Sequence, residues 1–112
     1  MNDLVDRTVM HLGAAAVSAV LLHIASASAH TALITCFDNG DATVTCEAGY
    51  SDGASSAGQV IRVSQTNKRL IIEAKFDKEG TYTFKKPDVD FYVEFIGDPS
   101  HLATFDGEDL VK

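Results

Sequence analysis

The fold is decided by the stretch Leu70-Ile71-Ile72-Glu73-Ala74-Lys75-Phe76-Asp77-Lys78-Glu79-Gly80-Thr81-Tyr82-Thr83-Phe84. On both sides of its central Asp77-Lys78-Glu79-Gly80, apolar side chains recur at every second residue, which is typical of strands with one buried face. Aspartate and glycine in the central segment are turn-forming residues. The stretch therefore predicts two β-strands joined by a tight turn.

The rest of the chain after His30 repeats this pattern, and no segment there has the period of a helix. Five further strands are predicted between turn signals, at residues 31–37, 43–50, 60–64, 91–96 and 101–105. About seven such strands predict an all-β protein, a small antiparallel β-sandwich that follows an N-terminal signal helix. The predicted core is Leu33, Val44, Val60, Val63, Leu70, Ile72, Phe76, Tyr82, Phe84, Phe91, Val93 and Phe95.

Three segments carry a family likeness: Val60-Ile61-Arg62-Val63, then residues 75–84 with Gly80 and two aromatics after it, then Phe91-Tyr92-Val93-Glu94-Phe95. Together they resemble the transthyretin-like modules known as carboxypeptidase regulatory-like or Cna-B-type domains. The resemblance covers roughly residues 59–105. It implies a transthyretin- or immunoglobulin-like sandwich in a non-catalytic accessory or adhesion role, and it carries over no active-site residue.

Residues 1–29 predict a secretory signal peptide, which leaves residues 30–112 as one β-sandwich domain. Residues 8–37 contain no charged side chain, and Ala27-Ser28-Ala29 has the small residues that a signal peptidase requires. The predicted product is periplasmic or secreted and not embedded in a membrane. Asp3 and Asp6 outnumber Arg7 near the start, so either the true start is Met10 or the export signal is weak. Residues 8–29 are also long enough for an uncleaved membrane anchor.

Cys36 and Cys46 are the two cysteines of the chain. In an exported protein we expect them to form a disulfide, whose short loop contributes roughly 2.5 to 3 kcal/mol of stability. A two-residue Asn39-Gly40 turn would not place them opposite each other, so the disulfide predicts a turn of about five residues or a bulged ladder. In the cytosol they would instead be free thiols or two metal ligands.

The chain is acidic, with a net charge of −7 at neutral pH. This charge disfavours nucleic acids and anionic membranes as partners and mildly favours cations. No serine or cysteine has a plausible general base, because the two cysteines are expected to pair and histidines are scarce. We therefore expect a protein that is not an enzyme.

The chain has four histidines, of which His11 and His23 lie in the predicted signal peptide. A cut before His30 would give that residue a free α-amine beside its imidazole, and these two nitrogens can chelate one metal ion. With His101 as a third nitrogen donor, the predicted site suits Cu(II) first and Ni(II) next. The sequence does not show whether His30 and His101 meet.

A signal that ends in alanine and is followed by histidine, on a small β-sandwich, resembles periplasmic copper carriers and the periplasmic component of some nickel and cobalt uptake systems. This second resemblance rests on His30 alone. It implies an exported accessory protein that binds copper or nickel and passes it to a metal transporter or another envelope protein. The alternative hypothesis is a non-catalytic module that binds a protein or glycan and leaves both histidines idle.

Overall fold

The computed structural model describes residues 30–98 and 100–111, and seven β-strands lie within these ranges. Numbered along the chain, they are β1 (Ala32–Asp38), β2 (Thr43–Tyr50), β3 (Val60–Gln65), β4 (Leu70–Lys75), β5 (Thr81–Lys85), β6 (Phe91–Asp98) and β7 (His101–Asp106), and a 3₁₀ turn (Gly107–Asp109) follows. The predicted all-β fold and strand count are confirmed. The predicted signal peptide, residues 1–29, lies outside the described residues.

The strands form two sheets in which every neighbouring pair is antiparallel, in the orders β1-β2-β5 and β4-β3-β6-β7. The predicted antiparallel sandwich is therefore confirmed. Edge strand β1 of the first sheet contacts β6 and edge strand β7 of the second. The first and last strands of the domain thus meet along one side of the sandwich. No helix in the described ranges is long and apolar enough to cross a membrane.

The β1–β2 hairpin contains the predicted disulfide. Cys36 and Cys46 are bonded and lie directly opposite each other in the ladder. The last paired residues are Asp38 and Val44, so residues 39–43 form the wide turn that the disulfide required, and the ladder itself is regular from end to end. Gly40 in this turn has a positive φ of 81°. Loop length, rather than a bulge, brings the two sulfurs together.

The core lies between the sheets and consists of Cys36, Val44, Cys46, Tyr50, Ile61, Val63, Phe76, Phe84, Phe91, Val93 and Phe95. Most of the predicted core is therefore confirmed. Leu33 and Leu70 were predicted wrongly, since they are 52% and 51% exposed. Val60 was also predicted wrongly, because it lies outside the core and its neighbour Ile61 is the buried residue. Side chains alternate along β1, and because Cys36 points inward, Leu33 must point outward.

The error at Leu70 comes from an irregularity between β3 and β4. Val63 pairs with Ile72 and Ser64 pairs with Leu70, so Ile71 is an extra residue in β4. An extra residue reverses the alternation beyond it. Leu70 and Ile71 are both exposed as a result.

The turn between β4 and β5 depends on Gly80. Asp77 begins this turn and accepts hydrogen bonds from the backbone N–H and the hydroxyl of Thr81, which lower the pKa of the Asp77 carboxyl. Gly80 has a φ of 75°, and a Cβ there would lie 2.8 Å from both the Ala48 carbonyl oxygen and Ser56 Oγ. Only glycine fits a left-handed backbone so close to a neighbouring strand.

Replacing Gly80 by alanine should therefore destabilise the fold by more than the left-handed conformation alone explains. Gly58→Ala is the matched control, because Gly58 has a φ of 76° but a Cβ there would meet nothing within 4 Å. We expect the control to lower the free energy of unfolding by about 1 to 2 kcal/mol and Gly80→Ala to cost a further ~1 to 3 kcal/mol. Urea unfolding measures both, and equal losses would contradict this account.

Candidate functional site

The alternation of β1 determines where His30 points. Cys36 faces the core, and Ile34 and Ala32 pack against it on the same side. His30 lies two residues before Ala32, which places its side chain on the inward side as well. The disulfide therefore fixes the direction of a histidine that precedes the first strand.

The side chains of Tyr50 and His101, at the same end of the sandwich as His30, also follow the alternation of their strands. On β2, Cys46 and Tyr50 both point inward and are buried. On β7, Ala103 and Phe105 pack against the core, and His101 shares their side of the strand. The residues before β1, together with β2 and β7, thus direct three rings from both sheets into one corner.

We call His30, Tyr50 and His101 the histidine cluster. The rings of His30 and His101 have centroids 4.8 Å apart and meet edge to face, with an interplanar angle of 82°. The ring of His30 also lies flat on Tyr50, with a centroid distance of 4.2 Å and an angle of 12°. The structure thus brings together the two histidines that the sequence singled out.

Asp98 holds His101 in a defined orientation. His101 Nδ1 lies 2.7 Å from Asp98 Oδ2 and 2.8 Å from Oδ1. An ionised carboxylate only accepts hydrogen bonds, so Nδ1 is the donor, and in the neutral form of the ring the lone pair is on Nε2. Hydrogen bonds from the side chain and backbone of Ser100, and then from His101, lower the pKa of Asp98 to about 2. The carboxylate is therefore ionised at neutral pH and can act as this acceptor.

Asp52 plays the corresponding part for His30. Asp52 Oδ2 lies 2.7 Å from His30 Nδ1, and Asp52 Oδ1 accepts a hydrogen bond from the backbone N–H of Ala54. The contact with His30 is the main cause that lowers the pKa of Asp52. The side chains of His30 and Asp52 are 42% and 37% exposed, so a small ion from solvent can reach them.

The donor atoms of the histidine cluster limit the metal ions that it could hold. Within residues 30–98 and 100–111, no three or more His, Cys, Asp or Glu side chains form a group that could hold a metal ion. The side chains of His30 and His101 supply imidazole nitrogens only. A third nitrogen at this corner would have to be the α-amine of His30, which exists only in a chain cut before that residue.

Two neighbours of the histidines were missed in the sequence. Tyr50 could have been found, because it shares the alternation of Cys46 on β2, and the disulfide makes that side the inner one. Asp52 lies in the loop after β2, where no periodicity indicates side-chain direction. Asp98 is the acidic residue nearest to His101 along the chain.

No protein-family model, curated protein or solved structure matches this chain. The resemblance of residues 59–105 to transthyretin-like modules, and that of His30 to the first residue of periplasmic metal carriers, therefore remain predictions. Function has to be inferred from the side chains at this corner of the sandwich and from their chemistry.

We expect the neutral forms of both histidines to carry their proton on Nδ1, because each Nδ1 faces a carboxylate. Long-range ¹H–¹⁵N NMR spectra distinguish the two tautomers. In Asp98→Ala, His101 should lose this preference while His30 keeps it. A neutral His101 protonated on Nε2 in the unsubstituted protein would contradict the assignment.

Proposed function

We propose that this protein is an exported accessory protein that binds Cu(II), or next Ni(II), through His30 and His101. The observation that carries the proposal is the 4.8 Å separation of the two imidazole rings. The two histidines precede the first strand and begin the last one, and nothing local to either segment requires them to meet. Their meeting at a partly exposed corner is what a binding site needs.

The donor set of the proposed site is the α-amine and Nδ1 of His30 with Nε2 of His101. The amine and Nδ1 belong to one residue and can close a chelate ring, so the metal ion takes the place of the proton that Nδ1 shares with Asp52. His101 offers Nε2 because Asp98 holds its Nδ1, an arrangement common among metal-binding histidines. Neutral nitrogen donors suit Cu(II) and Ni(II) better than Ca²⁺ or Mg²⁺.

Charge supports cation binding at this corner. Asp52 and Asp98 each lie beside one of the two imidazoles, and both carboxyls have lowered pKa values. Two ionised carboxylates attract a divalent cation to the site, and the chain as a whole is negative. We propose that the ion is cargo, handed to a metal transporter or another envelope protein, and that no reaction is catalysed.

The free α-amine of His30 exists only if the chain is exported and its signal peptide is cut before that residue. Residues 8–29 have the uncharged, small-residue pattern of a signal peptide and end in Ala27-Ser28-Ala29. The disulfide between Cys36 and Cys46 is of a kind that persists in oxidising compartments such as the periplasm or the extracellular space. Both features support a periplasmic or secreted protein that begins at His30.

A second candidate function is favoured by the edge of the larger sheet. Leu70 and Ile71 are exposed on edge strand β4, and an exposed sheet edge can accept a further strand from a partner. This feature supports the alternative of a module that binds another protein. Such a module would leave the histidine cluster unused.

Copper titration of the exported protein separates these two functions. The full chain is expressed for export, the product is purified, and its intact mass identifies the N-terminus. We expect a mass that begins at His30 and binding of one Cu(II) per chain. His30→Ala and His101→Ala should each weaken binding by more than the roughly 10- to 100-fold that loss of an outer partner costs.

Thr104→Ala is the matched control for His101→Ala, because Thr104 lies on the same strand and faces solvent. It should bind copper as the unsubstituted protein does. A mature N-terminus other than His30 would remove the proposed chelate, and tight binding that survives both histidine substitutions would place copper elsewhere.

A further inference from the structure

Tyr50 is the surface on which His30 rests. It is buried, at 7% exposure, and its ring lies parallel to that of His30 at 4.2 Å. Behind it, the ring of Phe95 lies at 5.4 Å in an edge-to-face arrangement. The imidazole therefore lies on a ring that is itself held by the core, although His30 precedes β1 and is exposed.

The hydroxyl of Tyr50 is fixed as well. Tyr50 Oη donates a hydrogen bond to Gln59 Oε1 at 2.8 Å. The phenol is thus engaged with the loop before β3 and is not offered to the ion at the histidine cluster. The ring of Tyr50, and not its hydroxyl oxygen, stacks on His30.

Gly97 provides the space that the Tyr50 hydroxyl occupies. A Cβ at Gly97 would overlap Tyr50 Oη, which is the tightest contact of any glycine in the described chain. Gly97 is also the extra residue of a bulge, because Ile96 pairs with Leu102 and Asp98 pairs with His101. One glycine thus makes room for Tyr50 and lies next to the carboxylate that orients His101.

We propose that Tyr50 and Gly97 position the two histidines for metal binding. Tyr50 holds the His30 ring beside His101, and Gly97 leaves room for the Tyr50 hydroxyl. This inference rests on the proposed function. His30 lies outside the regular strands, so the alternation of β1 gives the side on which its ring lies, and the ring of Tyr50 beneath it fixes the angle. A donor already held in place loses less conformational entropy when it binds an ion.

A purely structural role for Tyr50 predicts a different result. If the ring only fills the core, its loss lowers stability but leaves the copper affinity of the folded protein intact. A positioning role predicts that affinity falls in protein that is still folded. Copper affinity measured together with the unfolding midpoint distinguishes the two.

The test uses two pairs of variants of the exported protein. Gly97→Ala displaces Tyr50, whereas Gly49→Ala is its control, because a Cβ at Gly49 meets only the Ala54 carbonyl oxygen at an ordinary 3.6 Å. Tyr50→Leu removes the flat ring, and Tyr50→Phe restores it without the hydroxyl. We expect about 10-fold weaker Cu(II) binding in Gly97→Ala and Tyr50→Leu, an unchanged affinity in Gly49→Ala, and recovery of most of the affinity in Tyr50→Phe.

Tyrosine fluorescence gives a measurement that does not depend on the disruptive variants. Copper held at the cluster lies close to Tyr50 and should quench its emission, so saturating Cu(II) should remove more tyrosine emission from the unsubstituted protein than from Tyr50→Phe. Full affinity in folded Gly97→Ala and Tyr50→Leu would overturn the inference, whereas equal quenching in the unsubstituted protein and Tyr50→Phe would place copper away from the cluster and overturn the proposed function. Failure of the unsubstituted protein to bind copper would likewise overturn the proposed function.

Discussion

The cross-link between Cys36 and Cys46 is the constraint on which the rest of this structure depends. It joins two neighbouring strands at directly opposed residues, and both sulfurs face the core. Because side chains alternate along a strand, this single bond decides the inner face of β1 and β2 over their whole length. Tyr50 points inward for that reason, and so does His30 beyond the end of the ladder.

The second sheet supplies the other half of the histidine cluster. The bulge at Gly97 ends the regular pairing of β6 with β7 and leaves Asp98 opposite His101, where the carboxylate holds Nδ1 of the imidazole. Bulges of this kind commonly redirect side chains beside functional sites. At this corner, the disulfide in the first sheet determines the direction of His30, and the bulge at Gly97 in the second sheet determines that of His101. The two sheets meet there through the contact between β1 and β7.

Much of this fold could be predicted from the sequence, because alternation and turn residues are local signals. The seven strands followed from them. The disulfide was predicted instead from the signal peptide and the two cysteines, and the wide turn at residues 39–43 from the disulfide. Leu33 could have been placed correctly, because the predicted disulfide makes the Cys36 side of β1 the inner one. Leu70 was misplaced because the extra residue Ile71 appears only once β3 and β4 are paired. The sequence singled out His30 and His101, but their contact depends on how two sheet edges meet. Asp52 could not be predicted, since it lies in a loop.

The central claim is that His30 and His101 bind one metal ion together, with the α-amine of His30 as the third donor. Pulsed electron paramagnetic resonance of the exported protein with one equivalent of Cu(II) tests this most directly, because it resolves the nitrogens bound to copper. The account predicts two imidazole nitrogens and one amine nitrogen, with one imidazole lost in His101→Ala. A spectrum with oxygen ligands alone, or one that His101→Ala leaves unchanged, would contradict it.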